Sequence, residues 1–220
     1  MHTFATPTVI TAVLDIPAGR IRFIAADRTD TTVEVLPADA AKNRDVQAAE
    51  RTGVSYANGV LKVATTTKNQ YFGPSGAVEV TVRLPAGSGV EAKAAGAELR
   101  GVGRLGRVLF EGAQGRIKLD EAESARLTVL DGDVEVGRLG GSSEISTQRG
   151  GIRIAEAVGG AFVLSTQLGD IEVGVARGVS GALDAHTTLG RIDNALKNDG
   201  TPGLSVRATT TRGDVTARSL

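Results

Sequence analysis

The chain has 220 residues, with no Cys, no Trp, two His, five Phe and two Tyr, and its 25 basic and 25 acidic side chains give a net charge of zero. These counts exclude a thiol nucleophile, a Cys-based metal site and a disulfide framework, and we expect no catalytic, cofactor-binding or metal-binding residues. A neutral chain without a run of 18 apolar residues is expected neither to bind nucleic acid nor to insert into a membrane.

Residues 1–86 predict a non-repetitive β region. Alternating apolar and polar residues indicate strands at 9–16, 19–25, 32–36, 60–63 and 78–84. Residues 39–51 are rich in Ala, Gln, Glu and Lys and predict a short helix with Asp45 as its N-cap. Residues 65–76 are expected to form an exposed loop.

Residues 87–220 hold 24 of the 29 Gly and form a repeat. The unit is apolar-x-Thr-x-x-Gly-x-apolar-x-apolar, and its Gly recurs at steps of 17, 18, 19, 21 and 23 residues, at positions 115, 132, 150, 169, 190 and 213. One such unit cannot bury its apolar face alone, so the repeat predicts an all-β, right-handed parallel β-helix-like solenoid in which each unit bends at its Gly. The alternative is a meander of hairpins, with a tight turn at Asp131-Gly132.

The solenoid makes a prediction about charge. The outward residue between the two apolar positions is Lys118, Glu135, Arg153, Glu172 and then Asp193 in successive units. In a parallel stack these residues lie about 4.8 Å apart, so the alternating signs predict a ladder of ion pairs that fixes the register between units.

Three motifs that resemble functional signatures are explained by the repeat. Residues 101–106 read Gly-x-Gly-x-x-Gly, but the alternating sequence that follows is not a helix, as a dinucleotide site would require. Residues 212–214 read Arg-Gly-Asp, yet Gly213 is the Gly of a repeat unit. His186 stands where other units carry Ser or Thr, and we expect it to be a ladder residue rather than a base.

The chain resembles a bacterial family of β-strand-repeat proteins that are labelled adhesins, and within it an actinobacterial member. The resemblance is carried by the order of residues 17–22, 26–35, 84–88 and 103–106 and of the Ser/Thr-x-x-Gly repeats, and it covers nearly the whole chain. It implies a β-helix-like fold and no catalytic residues. The family's founding domain has no assigned function, and the label adhesin is one of analogy. Because no export signal is visible, a cytoplasmic location is expected rather than a secreted or surface one.

These patterns predict a non-catalytic structural or protein-interaction solenoid formed by residues 87–220, with residues 1–86 continuous with it and capping it. The last repeat runs to the end of the sequence without a covering helix, so self-association into a homo-oligomer through an open end or sheet edge is expected. One alternative is a carbohydrate-binding or carbohydrate-active β-helix, although the repeat region has only Phe110 and Phe162 as aromatic residues. Another is a cytoplasmic regulatory or ligand-binding module.

Overall fold

The computed structural model describes residues 1–66 and 76–220, and within them 17 strands join one sheet. Most of the predicted 65–76 loop lies outside the described residues. The elements in chain order are β1 (His2–Ala5), β2 (Thr11–Ala26), β3 (Asp30–Pro37), α1 (Asn43–Glu50), β4 (Thr52–Ala57), β5 (Val60–Thr65), β6 (Val78–Pro85), β7 (Gly89–Gln114), β8 (Ile117–Asp131), β9 (Val134–Leu139), β10 (Ser143–Arg149), β11 (Ile152–Ala157), β12 (Gly160–Leu168), β13 (Ile171–Val175), β14 (Gly181–Leu189), β15 (Ile192–Ala195), β16 (Leu204–Arg212) and β17 (Val215–Ser219).

The repeat region is a solenoid with two faces. Each rung, which is one repeat unit, contributes one strand to each face. On the first face, strands that follow the bend Gly stack in parallel, in the order β8, β9, β11, β13, β17, β15. On the second face, strands that precede the bend Gly stack in the order β8, β10, β12, β16, β14. Because neighbouring rungs pair in parallel, the hairpin alternative is wrong and the predicted solenoid is confirmed.

Period-2 alternation sends the apolar residues of each unit inward. Val134, Ile152 and Ile171 occupy equivalent positions on three rungs, and each is at most 1% exposed. A fully buried side chain of this size contributes about 1.5–3 kcal/mol. A single core therefore runs the length of the stack, from Ile10 to Val215.

The last two rungs are stacked in the reverse of their sequence order. The rung β16–β17 pairs with β12 and β13 on one side, and with β14 and β15 on the other. The outermost rung is therefore β14–β15, and the last repeat of the sequence lies inside the stack. The expectation that the C-terminal repeat itself forms the open end is wrong.

The N-terminal region continues the same sheet. The two strands expected at 9–16 and 19–25 are one strand, β2, which pairs in parallel with β7 from Thr11 to Ile24. The strands expected at 32–36, 60–63 and 78–84 are β3, β5 and β6. Strands β1 and β4 were not expected, although Asn58-Gly59 is a strong hairpin signal and joins β4 to β5 with positive φ at both residues.

The predicted helix is present as α1, but Asp45 is not its N-cap. Lys42 occupies that position and makes no side-chain capping bond. Asp45 lies within the first turn, where its buried carboxylate accepts the backbone N–H of Ala77 at 3.0 Å. The carboxylate therefore attaches the helix to the residue before β6 rather than capping it.

The N-terminal end of the stack is closed by antiparallel strands. β6 pairs with β3 and β3 with β1, while β5 pairs with β4. Phe4 of β1 and Tyr56 of β4 lie with ring centroids 5.5 Å apart, and α1 packs against β3, β4 and β6. Phe4, Tyr56 and α1 thus pack against the core at this end.

Candidate functional site

The corners of the solenoid are formed by bend glycines that lie directly over one another. Gly132, Gly150 and Gly169 have φ of 155°, 138° and 155°. A Cβ on Gly150 would overlap the carbonyl oxygen of Gly132, and one on Gly169 would overlap that of Gly150. Only Gly satisfies both the backbone conformation and the close approach.

In the units that bend at Gly150, Gly169, Gly190 and Gly213, a Thr joins its own rung to the bend of the preceding rung in the stack. The Thr166 hydroxyl donates to the Gly150 carbonyl at 2.9 Å, and Thr147 donates in the same way to Gly132 at 3.3 Å. In the reversed rungs the pattern follows space rather than sequence. Thr210 donates to Gly169 and Thr187 donates to Gly213, at 3.0 Å and 2.9 Å.

Asp residues that follow the bend Gly accept backbone bonds from the neighbouring rung. Asp133 accepts the Gly151 N–H at 2.9 Å, and Asp170 accepts the Asp214 N–H at 2.7 Å. Asp214 accepts the Arg191 N–H at 2.8 Å, and this bond holds the pKa of the Asp214 carboxyl below its ordinary value. The Arg-Gly-Asp motif at 212–214 is therefore part of a corner, with its carboxylate engaged by the adjacent rung.

The predicted charge ladder is present in part: its first and third pairs are ion pairs, whereas Glu135 and Arg153 lie in register between them without an ion pair. Lys118 and Glu135 lie 2.9 Å apart, and Arg153 and Glu172 lie 3.3 Å apart. The Lys118 ammonium, through its hydrogen bond, lowers the pKa of Glu135. The expected fifth member, Asp193, does not neighbour Glu172, because Thr216 of the inserted rung lies between them. The reversed order thereby keeps two carboxylates apart.

The Gly-x-Gly-x-x-Gly segment at 101–106 lies wholly within β7, with no helix after it. A Cβ at Gly103 would overlap the carbonyl of Ala25, which shows that the segment is used for close packing. His186 is exposed and extends a row formed by Ser146, Ser165 and Thr209 on adjacent strands, as expected.

Metal-binding side chains and aromatic rings are the groups with which a solenoid surface could hold a ligand. Among the residues that the structure describes, no three His, Asp or Glu side chains lie close enough together to hold a metal ion. Phe110 and Phe162 are buried, so neither can stack on a sugar. A depression of about 570 Å³ on the second face lies between β2, β7 and β8, and Lys93 and Glu111 form an ion pair of 3.2 Å in its wall.

The terminal rung β14–β15 differs from the other rungs because its inward apolar side chains are partly exposed. Ile192 occupies the inward position that Ile171 fills two rungs away, but it is 47% exposed where Ile171 is 0% exposed. Leu183 and Ala185 of β14 are half-buried against the core. Within 1–66 and 76–220, no strand pairs with the outer side of this rung.

The outer edge of β14 presents backbone groups in a defined alternation. The Ser180 carbonyl accepts a bond from Leu204 of β16 at 3.2 Å, whereas the Gly181 N–H points the other way and donates to Lys197 at 2.9 Å. In a parallel pair, alternate residues bond to opposite sides. The N–H and C=O groups of Leu183, Ala185 and Thr187 therefore face outward.

The sequence contained a signal for this rung. Its unit carries Asn194 where the others carry an apolar residue, and both Ile192 and Asn194 are exposed. A unit with a neighbour on one side only has less need of a second apolar residue. The unit with a polar residue at this inward position is thus the one at the spatial end of the stack.

Several solved structures are similar to this chain at low sequence identity. A protein from Bacteroides fragilis described as a "putative adhesin" is 14% identical with a TM-score of 0.57, over 100% of this chain and 95% of that one. A "putative cell adhesion protein" from Clostridium sporogenes is 10% identical with a TM-score of 0.45, over 100% and 98%. A "putative lipid binding protein" from Parabacteroides distasonis is 11% identical with a TM-score of 0.46, over 98% and 95%. The TM-score of 0.57 shows that the Bacteroides fragilis protein and this chain share a fold.

No curated protein matches the chain. In the described part of the chain, no helix has the length and hydrophobicity needed to cross a bilayer. A family model described as Toastrack DUF4097 matches residues 13–219, which include every repeat unit, and the chain therefore belongs to this family.

Proposed function

We propose that the protein is a non-catalytic scaffold for protein interaction, and that it associates with itself through the terminal rung β14–β15. The observation that carries the proposal is the contrast between the two ends of the stack. Phe4, Tyr56 and α1 cover the core at one end, whereas Ile192 and Leu189 are 47% and 57% exposed at the other. Unpaired strand edges combined with apolar side chains are a template for another chain.

The distribution of charge supports a scaffold rather than an enzyme. The basic and acidic side chains pair between neighbouring rungs, as in Arg126 with Glu144 at 3.1 Å and Arg138 with Glu156 at 2.9 Å. Active sites concentrate titratable groups with strongly shifted pKa values in a cleft. On this solenoid the groups instead form ladders that hold register.

Residues 1–86 have a separate role in the proposal, as the cap of the solenoid. β2 supplies the first full rung by pairing with β7, and the antiparallel strands beyond it end the parallel stack. Capping one end directs association to the other, because a parallel stack without a cap would add copies at both ends.

The test is the mass of the protein in solution across a wide range of concentration, measured by sedimentation equilibrium. We expect dimers to form as concentration rises, and Ile192→Lys to remain monomeric because it places a charge in the contact. Val163→Lys is the matched control, since Val163 is 45% exposed but lies in the middle of the second face. A wild-type protein that stays monomeric at the highest concentration would refute self-association.

A further inference from the structure

The edge of β14 also defines how two copies can meet, and this inference rests on the proposed self-association. The edge is nine residues long, from Gly181 to Leu189, while β15 beside it has four. Segment 196–203 covers only the beginning of the edge, where Lys197 accepts the Gly181 N–H. The outward groups of Leu183, Ala185 and Thr187 are thus the longest row available to a second chain.

The two ends of the molecule are too different to join head to tail. At the N-terminal end the edge strands β1 and β4 have four and six residues, both shorter than β14, and contact each other through Phe4 and Tyr56. A contact that uses the same edge of both copies is self-complementary and closes after two molecules. The partner that fits the β14 edge is therefore a second copy of this chain, in antiparallel orientation.

Charge selects the register of this pairing. Asp184 and His186 lie on either side of Ala185, and their side chains point out from the second face. A two-fold axis at Ala185 places Asp184 opposite the partner's His186, and it places His186 opposite the partner's Asp184. An axis at Asp184 would oppose two carboxylates, and one at His186 would oppose two imidazoles, so both are less favourable.

We propose that two copies pair antiparallel through β14 with the two-fold axis at Ala185. The outward backbone groups of Leu183 then bond to those of the partner's Thr187, and the two Ala185 residues face each other. Asp184 already accepts a bond from Arg207 at 3.1 Å, and its carboxylate has room for the imidazole as a second partner.

A cysteine pair tests this register, because the chain has no Cys of its own. In the proposed dimer Ala182 lies opposite the partner's Thr188 in a non-hydrogen-bonded pair, with Cα atoms about 4.5 Å apart, within reach of a disulfide. Within one chain the two residues are about 20 Å apart along the strand and cannot be bridged. Ala182→Cys/Thr188→Cys should therefore form a covalent dimer on mild oxidation, seen on a non-reducing gel.

The controls separate the register from the association itself. Ala182→Cys and Thr188→Cys alone should give no covalent dimer, and circular dichroism checks that each variant is folded. Asp184→Cys and His186→Cys report the other two registers, in which those residues lie on the axis. Dimers in sedimentation without a 182–188 disulfide would overturn the register but leave the proposed function intact. A monomeric wild-type protein would overturn both.

Discussion

At the scale of single residues, the bend glycines are positions where one methyl group prevents two rungs from stacking. Gly150 and Gly178 both have positive φ, 138° and 78°, but a Cβ would overlap the Gly132 carbonyl at Gly150 and meet nothing within 4 Å at Gly178. Gly178→Ala therefore reports backbone strain alone, whereas Gly150→Ala combines a less accessible φ with the close approach of the neighbouring rung.

We expect Gly178→Ala to cost about 1–3 kcal/mol from backbone strain alone. Gly150→Ala should cost clearly more, because a strand must also shift away from the new methyl group. The free energy of unfolding in urea measures both. Equal losses at the two positions would show that contact between the bends does not limit stacking.

Glu135 is the residue at which the charge ladder can be measured. Its hydrogen bond to Lys118 is the largest influence on its lowered pKa. Because the folded-state pKa lies below the ordinary one, the pair stabilises the fold above the ordinary carboxyl pKa, and this contribution is lost as pH falls through the lowered value. Lys118→Met should raise the Glu135 pKa towards its ordinary value, as an NMR titration would show.

Lys118→Arg is the control, since it keeps the positive charge next to Glu135. The loss of stability in Lys118→Met near neutral pH should be about 1 kcal/mol or less, because both side chains are substantially exposed. An unchanged Glu135 pKa in the Met variant would show that this rung-to-rung pair does not form in solution.

At the scale of elements, the reversed order of the last two rungs can be tested by engineered disulfides. Ser165 and Thr209 lie on paired strands, β12 and β16, whereas His186 lies one strand further out on β14. Ser165→Cys/Thr209→Cys should form an intrachain disulfide, because adjacent strands lie about 4.8 Å apart. Ser165→Cys/His186→Cys should not form one. The opposite result would show that the last two rungs stack in the order of the sequence, with β14 next to β12.

The sequence could predict the repeat unit, but it could not predict the spatial order of the last two rungs. The Gly spacing and the alternation of apolar residues predicted the bends, the inward phase and the alternation of charge over four rungs, since each depends on one unit and its period. Each of the last four units, however, offers the same Thr donor and the same Gly carbonyl. Thr187 is equally suited to Gly169 and to Gly213, and only the folded chain shows that it donates to Gly213.

The N-terminal region was less predictable for a different reason. Asp45 has the residue type of an N-cap, but a long-range bond to the Ala77 N–H determines its position. Strand β1 is four residues long and becomes a strand through its pairing with β3. For the candidate site, Asn194 was a visible departure from the repeat, yet its meaning depended on the spatial neighbours of its unit.

At the scale of the whole molecule, stability should decline towards the uncovered end. Local opening requires the least free energy where a rung has a neighbour on one side only. We expect hydrogen exchange of the monomer at low concentration to be slowest in β12–β13, faster in β16–β17 and fastest in β14–β15. Protection that instead decreases steadily along the sequence, with β16–β17 exchanging fastest, would contradict the spatial order.

The position of β16–β17 between its neighbours also bears on how the chain is made. A ribosome synthesises β14–β15 before β16–β17, but β14–β15 joins the native stack through residues 204–219, which emerge later. Vectorial folding, unit by unit, therefore stops at β13 and resumes only when residues 204–219 have emerged. A chain released before residue 204 lacks two rungs rather than one, and it presents the edge of β12–β13 to chaperones and proteases.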